Sequence, residues 1–169
     1  MAPVSVHSGF PMIEKIVSGG QTGADRAALD VALELGIAIG GWVPRARRAE
    51  DGRVPERYEG LVETGSDAYE VRTERNVRDS DATLIITFGA PEGGTALTRR
   101  FALEFGKASL IVDLERSSIE EAVASIREWI AYTCPRVLNV AGPRLSKEPR
   151  ITEATTDILR LALRQEIPE

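Results

Sequence analysis

Residues 18–25 read Ser18-Gly19-Gly20-Gln21-Thr22-Gly23-Ala24-Asp25, between an apolar run, Met12–Val17, and an amphipathic helical pattern, Asp25–Leu35. Few folds accommodate a strand that turns through three glycines straight into a helix; it is the opening of a βα unit. The glycines let backbone approach an anion closely, and the first amides of the helix, at the positive end of its dipole, then face that anion. Thr22 and Asp25 fit the spacing of a capping box, which places the helix start here. The segment is neither a dinucleotide fingerprint nor a Walker loop: Ser18 stands where the first glycine of Gly-x-Gly-x-x-Gly belongs, and no Gly-Lys-Ser/Thr follows. A tight turn that binds nothing is the competing reading.

The same alternation continues along the chain. Ile13–Ser18, Ile37–Val43, Ala82–Phe88, Ser109–Leu114 and Arg136–Val140 read as strands, and Leu61–Gly65 as a short extended piece. Helical stripes occupy Asp25–Leu35, Tyr69–Asp79, Thr95–Phe105, the segment opened by the capping box Ser118-Ile119-Glu120-Glu121, and Thr152–Gln165. The expected fold is α/β: a three-layer, doubly wound, Rossmann-like parallel sheet of about five strands. Residues 1–11 are expected to be a loose extension and residues 12–169 a single ligand-binding domain. In such a sheet, ligands sit outside the carboxyl ends of the strands. The loops Gly19–Gly23, Pro44–Arg57, Gly89–Gly94 and Gly142–Lys147 are therefore expected to share one edge.

Composition narrows the chemistry. The chain of 169 residues is 43% hydrophobic and 28% charged with a net charge of −5, which argues against nucleic acid or a membrane surface as the main partner. No apolar run is long enough to span a bilayer, and the N-terminus has no signal-peptide pattern. A single cysteine, Cys134, suits a reducing cytoplasm. With one histidine, His7, neither a His/Cys metal site nor a nucleophilic triad has its parts, so no catalytic and no metal-ligating residue is assigned.

Against this acidic background, one loop carries Arg45, Arg47, Arg48, Arg53 and Arg57, and another Arg144 and Lys147. Guanidinium groups gathered at one edge suit an oxyanion, unless each is paired with a neighbouring carboxylate. Gly93-Gly94-Thr95 repeats the strand–glycine–helix logic of the first turn, so two turns could grip two ends of one ligand. Arg72, Arg75 and Arg78 fall on one helical face, read as a solvated, salt-bridged surface, while Thr73 and Asn76 could face the ligand edge. Trp42 is either core or a platform for a flat ring. The expected binding residues are Ser18, Gly19, Gly20, Gln21, Thr22, Asp25, Trp42, Arg45, Arg75, Asn76, Gly93, Gly94, Thr95 and Arg144.

Taken in order, Ser18–Asp25, Trp42-Val43-Pro44, Arg72–Asp81, Gly93-Gly94-Thr95 and Asn139-Val140-Ala141-Gly142-Pro143-Arg144 resemble the molybdenum-carrier family of the SLOG superfamily, Rossmann-like folds related to lysine-decarboxylase-like proteins. The resemblance runs over about residues 12–165. It implies a ligand that is a nucleotide or the molybdenum cofactor, a flat pterin with a phosphate and a metal-oxo group, held by a carrier or storage protein. Related enzymes that cleave nucleoside monophosphates carry Gly-Gly-x-Gly-Thr-x-x-Glu; here Thr98 stands where the glutamate would fall. That departure favours a carrier over a phosphoribohydrolase-type enzyme. A nucleotide sensor is the third reading, and a homo-oligomer, dimer or tetramer, is expected for this architecture.

Overall fold

The structure is a computed structural model that describes residues 9–165. His7 lies outside the described residues. The central sheet has six parallel strands: β1 (Lys15–Val17), β2 (Ala38–Val43), β5 (Leu61–Glu63), β6 (Ala82–Thr87), β7 (Ala108–Asp113) and β8 (Val137–Ala141). Their order is β5-β2-β1-β8-β6-β7. The piece at Leu61 is thus the sixth strand, paired in parallel with β2 through Trp42 and Val62. Inside the aperiodic segment before it, β3 (Arg48–Ala49) and β4 (Gly52–Arg53) form a small antiparallel ribbon. Among the described residues, no helix is long and apolar enough to cross a membrane.

Among the described residues, five α-helices complete the three layers: α1 (Ala24–Glu34), α2 (Tyr69–Arg78), α3 (Gly93–Glu104), α4 (Ile119–Thr133) and α5 (Ile151–Leu163). Strand register shows why the two faces of the sheet differ. Ile16 and Leu138 are in register, as are Leu84 and Val140, and with Ile86 and Val112 they build an apolar face. That face packs on Ala28 and Val31 of α1, Ile126 and Ile130 of α4, and Ile158 and Leu159 of α5, forming the main core. The other face, under α2 and α3, carries Thr83 and Asn139 side by side, then Thr87. Asn139 donates to the Thr83 hydroxyl at 3.3 Å. A parallel sheet is normally apolar on both faces, so this buried polar strip marks the side on which something other than core packing is required.

The first turn of α1 departs from the expected capping box. Gly23, with φ of 84°, precedes the helix and no side chain caps it. Thr22 instead turns its hydroxyl to Glu50, and Asp25 reaches back to accept the Gln21 amide at 3.1 Å. At α4 the expected box is half realised: the Ser118 hydroxyl accepts the Glu121 amide at 3.1 Å.

Candidate functional site

Because the strands are parallel, their carboxyl ends all open on one edge, and the loops after β1, β6 and β8 meet there. Between α2 and α3, above the polar strip, lies a cleft of about 1010 Å³. Its lining includes Gly19, Gln21, Asp25, Arg72, Thr73, Gly94, Thr98 and Asn139, with Lys147 at the β8 loop. That is the upper end of the size range for small-molecule sites. The segment after β2 joins the same edge without lining the cleft. Its Glu50 accepts the Thr22 hydroxyl, the Ser146 amide at 3.1 Å and the Ser146 hydroxyl, and pairs with Arg144 at 3.4 Å. Burial alone would raise the Glu50 carboxyl; the bonds from Ser146 and Thr22 outweigh it and hold the group below its usual range. One carboxylate thus ties three loops together.

The two glycine turns differ in what their amides do. In the turn before α1, Gly20 donates to the Ser18 hydroxyl, Gln21 to Asp25, Thr22 to the Gln21 side chain at 3.1 Å, and Ala24 to the Pro143 carbonyl at 3.3 Å. Its glycines serve packing of chain on chain. A Cβ on Gly19 would collide with the Arg72 guanidinium, and one on Gly23 would sit 2.5 Å from the Pro143 oxygen. The turn before α3 is open. Thr95 and Ala96 both donate to the Glu92 carbonyl, whereas among the described residues the Gly93 and Gly94 amides have no acceptor. Both glycines are exposed and line the cleft. The expectation of two equivalent anion-gripping turns is therefore corrected: α3 offers free amides, and α1 spends most of its own on the chain.

Arg72 does not stand where its spacing with Arg75 and Arg78 predicts. It belongs not to a solvated stripe but to the buried face of α2, with Asn76 and Val77, and is only 8% exposed. Its Nη1 donates to the Gly19 carbonyl at 2.5 Å and its Nε to the Thr73 hydroxyl at 3.2 Å. Among the described residues no carboxylate pairs with it directly; burial pulls its pKa down while Asp25 pushes it up. Asp25 is equally buried, and burial lifts its carboxyl to about 6 against the opposing pull of Arg72, the Gln21 amide and Arg26. A cation and a titratable carboxylate thus share one wall of the cleft.

Of the residues expected at the site, Gly19, Gln21, Asp25, Asn76, Gly93, Gly94, Thr95 and Arg144 line the cleft. Ser18, Gly20, Thr22, Trp42, Arg45 and Arg75 do not. Ser18 is fully buried and donates to the Asp25 carbonyl at 3.0 Å. Trp42 lies on the far side of α2. Arg75 covers its ring at 4.8 Å, its indole donates to Asp79 at 2.9 Å, and Asn76 bonds both its amide and its carbonyl. The arginines after β2 do not converge on the cleft. Arg47 is buried on the carbonyls of Val54, Pro55 and Tyr58, Arg53 pairs with Glu56, and Arg57 pairs with Asp30. Arg48 reaches the Asp67 carbonyl and the Tyr69 ring, while Arg45 is exposed. Apart from Arg45, these cations are spent on neighbouring carbonyls, carboxylates and a ring rather than on the cleft.

The sequence model of the circularly permutated YpsA SLOG family matches residues 16–163, which include both glycine turns and every strand except the first residue of β1. The chain belongs to this SLOG family. Its fold is also that of a crystal structure titled "Putative molybdenum carrier protein" from Syntrophus aciditrophicus, 53% identical. That likeness covers 91% of this chain and 97% of the other, with a TM-score of 0.89. None of the curated proteins matches. Within the SLOG fold, the cleft between α2 and α3 brings the free Gly93 and Gly94 amides together with the buried charges of Arg72 and Asp25.

Proposed function

We propose that the chain is a carrier that binds a phosphorylated or oxyanionic small molecule in the α2–α3 cleft, with the molybdenum cofactor as its cargo. The observation that carries this reading is the α3 opening: two free amides, Gly93 and Gly94, at the positive end of a helix, on the wall of a cleft that also holds buried Arg72. Thr95 adds a hydroxyl. The donor set suits an anion that arrives with its metal already bound. It consists of amides, a hydroxyl and a guanidinium, and among the described residues no three His, Cys, Asp or Glu side chains are grouped to hold a metal ion. The Syntrophus aciditrophicus protein, described as a "putative molybdenum carrier protein", supports a molybdenum-related cargo. Thr98, at the position of a hydrolytic glutamate, donates its hydroxyl to the Gly94 carbonyl at 2.9 Å, and so supports holding rather than cleaving.

The test is a thermal-shift and equilibrium-binding screen with nucleoside monophosphates, pterin phosphates, molybdate and tungstate. A ligand that prefers the native state raises apparent stability, and does so further as its free concentration exceeds its Kd. A phosphorylated heterocycle should shift the wild type and leave Gly94→Val unmoved. A shift that persists in Gly94→Val would place the anion elsewhere, and release of free base from a nucleotide would make the protein an enzyme.

A further inference from the structure

Two charged groups in the cleft keep one valence each unspent. Asp25 accepts the Gln21 amide at Oδ2 and is also drawn on by the Gly19 amide; a carboxylate offers about four acceptor sites, and among the described residues Oδ1 receives no donor at full hydrogen-bond geometry and is not sealed from the cleft. Arg72 uses Nη1 on Gly19 and Nε on Thr73, leaving Nη2 without an acceptor and likewise unsealed. Both side chains are more than nine-tenths buried, and they do not ion-pair with each other. Most buried charged groups are fully partnered, so an acceptor and a donor left open on one wall point to a ligand edge that completes them.

We propose that Asp25 and Arg72 read the non-phosphate end of the ligand, selecting a heterocycle that carries a ring N–H beside a carbonyl. This rests on the reading that the phosphate occupies the Gly93–Gly94 opening. A phosphate at the Asp25 end would face a carboxylate in a desolvated pocket, where like charges repel strongly. A lactam edge has the matching polarity: its N–H donates to Asp25 Oδ1, and its carbonyl accepts from Arg72 Nη2. Nearby, Asn139 spends its amide nitrogen on Thr83, which leaves its Oδ1 as a further neutral acceptor on the floor. The lactam edge is common to oxopurine nucleotides and pterins.

The proton on Asp25 sets the sign of the test. The charged groups around it are Arg72 from α2, Arg26 from its own helix, which is itself paired with Asp51 on the β3–β4 turn, and beyond Thr22 the Glu50–Arg144 pair. Asp25 titrates at about 6. It is therefore an acceptor at pH 7.5 and mostly a protonated donor at pH 5, where it no longer matches a ring N–H.

The experiment is calorimetric titration of the full chain with inosine 5′-monophosphate, purine riboside 5′-monophosphate, which lacks the ring N–H and carbonyl, and neopterin phosphate. Wild type, Asp25→Asn and Gly94→Val are compared at pH 7.5 and 5. Taking the ratio of the two nucleotides cancels the titration of the phosphate itself. The inosine compound should bind about tenfold tighter than purine riboside monophosphate to the wild type at pH 7.5. The ratio should approach one at pH 5, and also in Asp25→Asn at both pH values. Whichever of the inosine and pterin compounds binds more tightly identifies the source of the lactam edge. A wild-type ratio near one at pH 7.5, a ratio that survives in Asp25→Asn, or one that rises at pH 5 would overturn the proposal while leaving the phosphate site standing. No binding of any probe, or unchanged binding in Gly94→Val, would instead overturn the site itself.

Discussion

Replacing Asp25 by Asn should change how stability depends on pH, and the structure gives both sign and size. Asn keeps the oxygen that accepts the Gln21 amide, so the turn before α1 retains its geometry. What it removes is a carboxyl whose folded-state value is raised from 3.8 to about 6, chiefly by burial. A group raised on folding contributes stability that is fully present below its unfolded value and lost as pH rises through its folded value. Near pH 7 Asp25 is ionised in both states and contributes almost nothing; at pH 4.5 the folded state is protonated and the unfolded state mostly is not. The difference between wild type and variant should therefore move in favour of the wild type by about 2 kcal/mol between pH 7 and pH 4.5. Urea denaturation of both proteins at several pH values reads this directly, and the difference cancels the carboxylates common to both, such as Glu50 and Asp113. A flat difference would mean that Arg72 holds Asp25 ionised. A change of opposite sign would mean that the carboxylate is a net stabilising partner of that guanidinium, and that the account of the wall is wrong.

Other perturbations separate binding from folding. At Gly94 the backbone is ordinary and a Cβ meets nothing within 4 Å, so Gly94→Val should keep the wild-type melting temperature. Gly20 has φ of 69° and its Cβ would sit 3.0 Å from Val54, so Gly20→Val should lower the melting temperature by several degrees, as strain of about 1–3 kcal/mol does in a domain of this size. Glu50→Ala should speed amide exchange at Ser146 and across residues 45–57, because one carboxylate holds those loops together, and exchange rates equal to wild type would deny it that role. Ser118→Ala should cost about 1 kcal/mol in urea denaturation through loss of the bond to the Glu121 amide, with no effect on ligand binding.

The layers of this fold were legible because they rest on local periodicity. Apolar stripes such as Ile126–Ile130 and β-branched runs such as residues 83–87 announce their own elements. The arrival of three loops at one edge followed from parallel strands alone. What local pattern could not convey was the use made of polar groups across the sequence. The amides of residues 20–24 look like an anion cup until the Gln21 and Asp25 side chains and the Pro143 carbonyl come to occupy them. The arginines of residues 45–57 look like a cationic edge until Asp30, Glu56 and three backbone carbonyls meet them. Arg72 was a matter of helix phase. Its spacing with Arg75 and Arg78 suggested one solvated face, but Asn76 and Val77 fix the inward side, and Arg72 shares it. The signal was present in the position of Val77, the apolar residue buried in that helix. Trp42, on β2, meets the outward side of that helix, where Arg75 and Asp79 hold it.

The central claim, that α3 opens onto an anion, is tested most directly by a crystal structure of the full chain soaked with a phosphorylated heterocycle. Density for phosphate oxygens within hydrogen-bond distance of the Gly93 and Gly94 amides, with the ring directed toward Arg72 and Asp25, is the predicted result. Phosphate bound at residues 20–22 after displacing the Asp25 side chain, or a ligand seated outside the α2–α3 cleft, would contradict it.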